Sequence, residues 1–339
     1  MRVRRAVQIL GAVLLTVALM EIGLRVISHP GRPFLQRHRE SSCTRHPMEE
    51  DPVRGWRNRV GEHHYSCDIG TEKLEIRQTL WPGGFRATAP IQEDRPEKLL
   101  LVGCSCTYGL FLSDHETFGW KLQEAFPSVQ VINAGVPGYS TVQALLTLRG
   151  YLEGGDTARV VLYSHISHHA LRNVAESRWA RNLSFGVGSV LPRVGLGSDG
   201  ALRELPPLDL RRSLWIRHSY VLDLGQFAWA RISDLDQETR RQAATLTVMR
   251  LQELARQHGA TLAVAHIGHP DKESDREIAA FRRAGVDTVL DCRVQVNAEN
   301  AAPADPGRHH GNADVHTAYS TCIAEGLASL LLVAPAPAR

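Results

Sequence analysis

Side chains suited to nucleophilic chemistry occur at three points of this 339-residue chain. Ser105 lies between two cysteines at the end of the apolar run "KLLLVGCS". "GNADVH" places Asp314 two residues before His316, and "SHISHH" places His168 and His169 just after another apolar run. A hydroxyl, a carboxylate, an imidazole and backbone N–H groups are what acyl transfer requires. Ser105 is therefore a candidate nucleophile, and the alternative for it is a helix N-cap.

The cysteines and histidines allow other interpretations. Cys104 and Cys106 are either small buried residues beside a turn or partners in a disulfide with Cys292 or Cys322. Zinc ligands could come from the set His165, His168, His169, His309, His310 and His316. No HExxH or comparably spaced motif is present in the sequence, so we expect no metal ion and no cofactor.

Five apolar runs alternate with amphipathic helical patterns from residue 98 onward. The runs are 98–105, 129–135, 158–166, 261–268 and 287–293. Because they are apolar throughout rather than alternating, they predict strands buried on both faces of a parallel sheet. The pattern predicts an α/β fold, a three-layer sandwich with a five-stranded parallel sheet in a single domain. Ligands of such sheets bind beyond the carboxyl ends of the strands, where Ser105 falls.

The remainder of the chain divides at changes of composition. Residues 1–28 combine a basic flank with an apolar run and predict a membrane anchor, the alternatives being a cleaved signal or a buried helix. Residues 29–95 are interpreted as irregular, with Trp56 either packed under the domain or lining a sugar-binding cleft. Residues 96–334 form the predicted domain, and 173–235 are an insertion in it.

Charge and composition exclude some classes of protein. Hydrophobic residues make up 43% of the chain, which is ordinary for a globular protein, and the formal charge of +3 is spread among acids and bases. No basic stripe for nucleic acid stands out, so we expect no nucleic-acid partner. The basic N-terminal flank predicts that it stays cytoplasmic and that the following domain is exported.

"GCSCTYG", "NAGVPGYST" and "DVH" resemble the first, second and last conserved blocks of the SGNH/GDSL hydrolases, over roughly residues 97–330. The likeness is greatest to membrane-anchored bacterial members, whose span ends as "EIGLR" does here. The resemblance implies a flavodoxin-like strand order of 2-1-3-4-5. It also implies Ser105 as nucleophile, His316 as base, Asp314 as orienting acid and the Gly135 N–H as an oxyanion donor.

Two positions depart from the family pattern. The aspartate that precedes the serine in the first block is Cys104 here, and the third-block asparagine is absent. Ser167, His168 or His169 takes its place after the third strand. Because an imidazole N–H can donate as an amide does, we expect His168 or His169 to serve as the third oxyanion donor.

These features predict a serine-dependent hydrolase of ester-linked acyl groups, acting on an acylated small molecule or an exported glycan. The alternatives are a polysaccharide O-acetyltransferase with the same residues, and a non-catalytic carbohydrate-binding or assembly protein. The expected location is the bacterial inner membrane, reached through the N-terminal helix, with the catalytic domain facing the periplasm or exterior.

Overall fold

A computed structural model describes residues 2–27, 48–68, 73–183, 190–210, 219–303 and 310–332. The helices of these ranges are α1 (Arg2–Ile27), α2 (Ser105–Tyr108), α3 (Phe118–Ala125), α4 (Thr141–Glu153), α5 (His168–Asn173), α6 (Ser177–Asn182), α7 (Tyr220–Ser233), α8 (Gln237–Gln257), α9 (Lys272–Arg283) and α10 (Ala313–Leu331). The strands are β1 (Met48–Asp51), β2 (Gly55–Asn58), β3 (Gly61–Asp68), β4 (Lys73–Trp81), β5 (Phe85–Arg86), β6 (Lys98–Val102), β7 (Gln130–Asn133), β8 (Val160–His165), β9 (Val190–Leu196), β10 (Leu202–Asp209), β11 (Thr261–His266) and β12 (Thr288–Asp291).

The central sheet contains the predicted parallel strands in the predicted order. Its strand order is β12-β11-β8-β6-β7-β5-β4-β3, and the first five are parallel to their neighbours. Numbered along the chain, those five strands run 2-1-3-4-5 when read from β7 to β12. The fold class and this order are confirmed, but the sheet has eight strands rather than five.

The three additional strands come from the segment that was expected to be irregular, and that expectation was wrong. β3, β4 and β5 pair antiparallel and extend the sheet beyond β7. In β4, "KLEIRQTLW", every second residue from Ile76 to Leu80 is buried. This period of two is the signature of a half-buried strand, and it is present in the sequence.

Helices cover both faces of the sheet. Along β6, Leu100 and Val102 pack in the cluster with α4 and α8, whereas Leu99 and Leu101 pack in the cluster with α3 and α10. Successive side chains of a strand point to opposite faces, so an apolar run such as "KLLLV" serves two cores. The result is the expected three-layer sandwich, with the end of β6 at its centre.

The cysteines pair differently from the predicted alternative. Cys292 and Cys322 form a disulfide with each other, and Cys67 is also in a disulfide. Cys104 and Cys106 are thiols, and Cys104 is fully buried. The two residues that flank Ser105 are therefore not cross-linked to Cys292 or Cys322.

Candidate active site

The turn that carries Ser105 joins the end of β6 to α2. A Cβ atom at Gly103 would lie 2.1 Å from Thr107 Oγ1 and 3.0 Å from the Ser164 carbonyl oxygen. Only glycine allows the first turn of α2 to fold this closely onto the strand ends. Ser105 is the first residue of α2 and is 7% exposed.

The hydroxyl of Ser105 is hydrogen-bonded to a histidine. Its Oγ lies 2.9 Å from Nε2 of His310 and 3.9 Å from Cys104 Sγ. With Nε2 accepting the serine proton, the imidazole carries its own proton on Nδ1, an assignment made from the hydrogen bond. A serine hydroxyl and an imidazole nitrogen at this distance have the arrangement that a nucleophile and its general base require.

The phenyl ring of Phe111 packs beside this imidazole. Its centroid lies 5.5 Å from that of His310 in an edge-on arrangement of 74°. Phe111 has a φ of 67°, a left-handed conformation that is uncommon for residues other than glycine. Such strain persists only where neighbouring contacts hold it, and here it places an aromatic wall against the candidate base.

The N-terminal strands supply those neighbouring contacts. The fully buried Arg86 side chain forms an ion pair with Asp114 at 2.7 Å and donates to the Leu112 carbonyl oxygen at 2.7 Å. Gln78 accepts from the Tyr108 hydroxyl at 2.7 Å and donates to the Leu112 carbonyl at 3.2 Å. Arg86 and Gln78 thus fix both ends of the loop that contains Phe111.

Trp56 is packed beneath the domain rather than lining a cleft. It is 2% exposed, donates from Nε1 to the Pro137 carbonyl oxygen and lies edge-on to Tyr139. The packing interpretation of this tryptophan is confirmed.

His316 does not meet Ser105, contrary to expectation. It lies within α10, and its Nδ1 accepts a hydrogen bond from the backbone N–H of Phe118 at the start of α3. The Phe118 ring stacks on it at 5.6 Å. Burial lowers the pKa of His316 to about 3. A group that holds a proton only in strong acid is a poor acceptor for a serine proton at neutral pH.

Asp314 does not orient His316 either. Both residues lie in the first turn of α10, and residues two apart in a helix point to different sides. Asp314 is exposed, whereas His316 is 2% exposed. The Asp314 carboxylate has no hydrogen bond or ion pair within the described ranges.

The Gly135 N–H donates its hydrogen bond to a side chain of the protein and not toward a substrate position. It is hydrogen-bonded to Asn133 Oδ1 at 3.0 Å, and Asn133 Nδ2 donates in turn to the Thr107 carbonyl oxygen. A Cβ at Gly135 would lie 2.6 Å from the Tyr108 nitrogen. In this structure the glycine allows close packing of the β7 end on α2.

Neither third-block histidine contacts the Ser105 hydroxyl. His168 is exposed at the start of α5. His169 is fully buried beside Cys104, with its Nδ1 2.6 Å from the Tyr163 hydroxyl. Burial lowers the pKa of His169 to about 4, so its imidazole is neutral at pH 7.

The sequence contains a signal for His310 that the motif comparison missed. Asn312 caps α10 through hydrogen bonds from the Asp314 and Val315 N–H groups. From that cap onward the buried positions Val315, His316, Tyr319 and Ile323 follow helical spacing. This period assigns His316 to the core and leaves His310 in the loop before the helix, where side chains are available for chemistry.

Burial of neutral His316 predicts acid sensitivity. Its folded pKa of about 3 lies below the unfolded value of about 6.5, so only the unfolded chain gains this proton between those values. Stability is therefore lost as pH falls through that window, by about 1.4 kcal/mol per pH unit for this group. His316→Asn, whose amide oxygen can still accept from Phe118, should reduce the pH dependence by about one proton. Urea unfolding of both proteins from pH 7 to pH 5 measures this, and equal slopes would contradict it.

No family model and no curated protein matches the chain. Solved structures that it resembles include "TesA", with 16% identity, a TM-score of 0.38 and coverage of 69% of this chain and 100% of that one. A member of the lipolytic G-D-S-L family from Veillonella parvula has 11% identity, a TM-score of 0.39 and coverage of 68% and 97%. The esterase EstA from Pseudoalteromonas has 13% identity, a TM-score of 0.40 and coverage of 70% and 100%. The second of these proteins is named for the family that the motifs predicted.

Proposed function

We propose that this protein is a serine esterase in which Ser105 is the nucleophile and His310 is the general base. The observation that carries the proposal is the 2.9 Å hydrogen bond between Ser105 Oγ and His310 Nε2. A hydroxyl is a weak nucleophile at its ordinary pKa, and an adjoining imidazole that accepts its proton removes that limitation.

The chemistry follows from this pair and from the start of α2. Ser105 Oγ attacks the ester carbonyl as its proton passes to His310 Nε2, and the imidazolium then protonates the departing alcohol. The resulting acyl group on Ser105 is removed by water, with His310 again accepting the proton. Ser105 is the first residue of α2, where backbone N–H groups have no partner within the helix, so its N–H is available to the oxyanion.

The substrate class is tested with the purified full-length protein in detergent. The panel contains p-nitrophenyl esters of increasing acyl length and acetylated oligosaccharides, each with and without an unacetylated glycan acceptor. Release of free acid or acetate that depends on Ser105 supports the esterase. Acetyl transfer to the glycan without release of free acetate would show a transferase instead of an esterase. No turnover of any substrate would favour a binding protein.

We also propose that α1 remains attached as a membrane anchor. Residues Arg4–Val26 have a mean hydropathy of 2.1 and the length to cross a bilayer. The Glu21 carboxylate accepts hydrogen bonds from the Ser219 hydroxyl and from the Tyr220 and Val221 N–H groups. It therefore caps the start of α7, a contact that a cleaved signal segment could not provide.

The anchor predicts an uncleaved N terminus. The chain expressed in a bacterium should sediment with membranes, resist extraction at alkaline pH and retain the peptide around Glu21 by mass spectrometry. A chain lacking residues 1–27 and fused to a cleavable leader is the matched control and should be soluble. A mature full-length product that begins after residue 27 would contradict the anchor.

A further inference from the structure

Three buried side chains converge on one point, away from the Ser105–His310 pair. His165 and His266 end the neighbouring parallel strands β8 and β11 and are paired in register. Glu277 reaches them from α9. Each of the three is at most 1% exposed, and one ligand atom from each lies within 4.8 Å of the other two.

The distances in this cluster suit metal ligands better than an ion pair. Oε2 of Glu277 lies 3.2 Å from Nε2 of His165 and 3.3 Å from Nε2 of His266. Charge-assisted N–H···O bonds are shorter, about 2.7–2.9 Å. Bonds of about 2.0–2.2 Å to a tetrahedral zinc ion place adjacent ligand atoms about 3.3–3.6 Å apart. The two carboxylate–imidazole separations are close to the edges of such a tetrahedron.

The polar atoms around the cluster have too few partners for a closed hydrogen-bond network. Within the described ranges, Oε1 of Glu277 and Nδ1 of His266 are buried with no hydrogen-bond partner. A buried carboxylate is costly unless a positive charge compensates it. A divalent cation at the convergence point supplies that charge and is bound by the Nε2 atoms of the two imidazoles.

The surroundings also suit imidazole ligation. The Tyr163 hydroxyl lies 3.1 Å from Nδ1 of His165, a contact that can hold the proton on Nδ1 and leave Nε2 to coordinate. The Phe281 ring stands edge-on to His165 at 4.9 Å. Two nitrogens and one carboxylate favour zinc and similar transition metals over calcium or magnesium, which take oxygen ligands.

We propose that His165, His266 and Glu277 bind one divalent transition-metal ion of the zinc class. The ion would tie β8, β11 and α9 together at the carboxyl ends of the two strands. The proposal does not depend on the esterase chemistry, because none of the three residues contacts Ser105 or His310 through any hydrogen bond of the described residues.

The test is the metal content of the full-length protein, purified without chelators and measured by inductively coupled plasma mass spectrometry. The variants are Glu277→Gln and His266→Gln, with His258→Gln, an exposed histidine, as the matched control. Wild type and the control should contain about one ion per chain, and the other two at least about tenfold less. After exchange with cobalt(II), only wild type and the His258→Gln control should show visible ligand-field absorption.

Thermal unfolding separates loss of metal from failure to fold. A chelator should lower the Tm of wild type and the control, and added zinc should restore it. If either Glu277→Gln or His266→Gln fails to fold, the metal content, cobalt spectrum and Tm response of wild type alone decide whether the site binds metal. Folded wild-type protein with no stoichiometric metal, no cobalt spectrum and no response to zinc would overturn the proposal and leave a His–Glu–His ion pair.

Discussion

Ser105→Ala should lower kcat/KM for a short acyl ester by roughly 10⁴- to 10⁶-fold, because it removes the oxygen that forms the acyl-enzyme. The Ser105 hydroxyl is small and does not cap α2, so its removal costs the helix no capping hydrogen bond. The Tm should therefore stay close to that of the unmodified protein. Steady-state hydrolysis and thermal unfolding measure the two quantities on the same preparation.

The matched control for this substitution is Ser164→Ala. Ser164 is a fully buried serine of β8 whose hydroxyl has no partner within the described ranges. It should retain wild-type turnover, since the hydroxyl it removes makes no hydrogen bond to the described residues. Turnover by Ser105→Ala at the level of this control would contradict the acyl-enzyme mechanism.

His310→Ala should lower kcat by roughly 10³- to 10⁶-fold with a much smaller change in KM. The base acts on the serine proton in the transition state and does not contribute to ground-state binding. His316→Asn should instead keep kcat within about threefold, since its role is to accept the Phe118 N–H in the core. Asp314→Asn should also keep it, because that carboxylate is exposed on the other side of α10.

The contrast between these histidine variants decides the assignment. The effects on thermal stability should be reversed between the two variants. His316→Asn should lower the Tm, and His310→Ala should leave it nearly unchanged. A large loss of kcat in folded His316→Asn, together with near-normal turnover by His310→Ala, would restore the pairing expected from sequence motifs.

The sheet was predictable because burial on both faces leaves a direct trace in sequence. Runs such as "KLLLV" and "VVLYSH" have no polar face, and only central parallel strands accept them. β3 and β4 were missed although β4 alternates in the expected way. Its outward residues, Lys73, Glu75 and Arg77, make the segment appear polar overall.

The site was only partly predictable, since it depends on where one helix begins. Ser105 follows a buried strand directly, so its place at the sheet rim needs no long-range information. The histidine partner is about 200 residues away, and two candidate histidines, His310 and His316, lie on either side of the start of α10. The Gly135 N–H was misplaced for a related reason, because its acceptor is a side chain, Asn133, two residues earlier.

Labelling with a fluorophosphonate tests the central claim most directly, because the probe reacts only with an activated serine. Peptide mapping of the purified full-length protein should find the phosphonyl group on Ser105 alone, with labelling about 10³-fold slower in His310→Ala and unchanged in His316→Asn. Absence of the adduct from Ser105 in folded wild-type protein, or a rate independent of His310, would contradict the account.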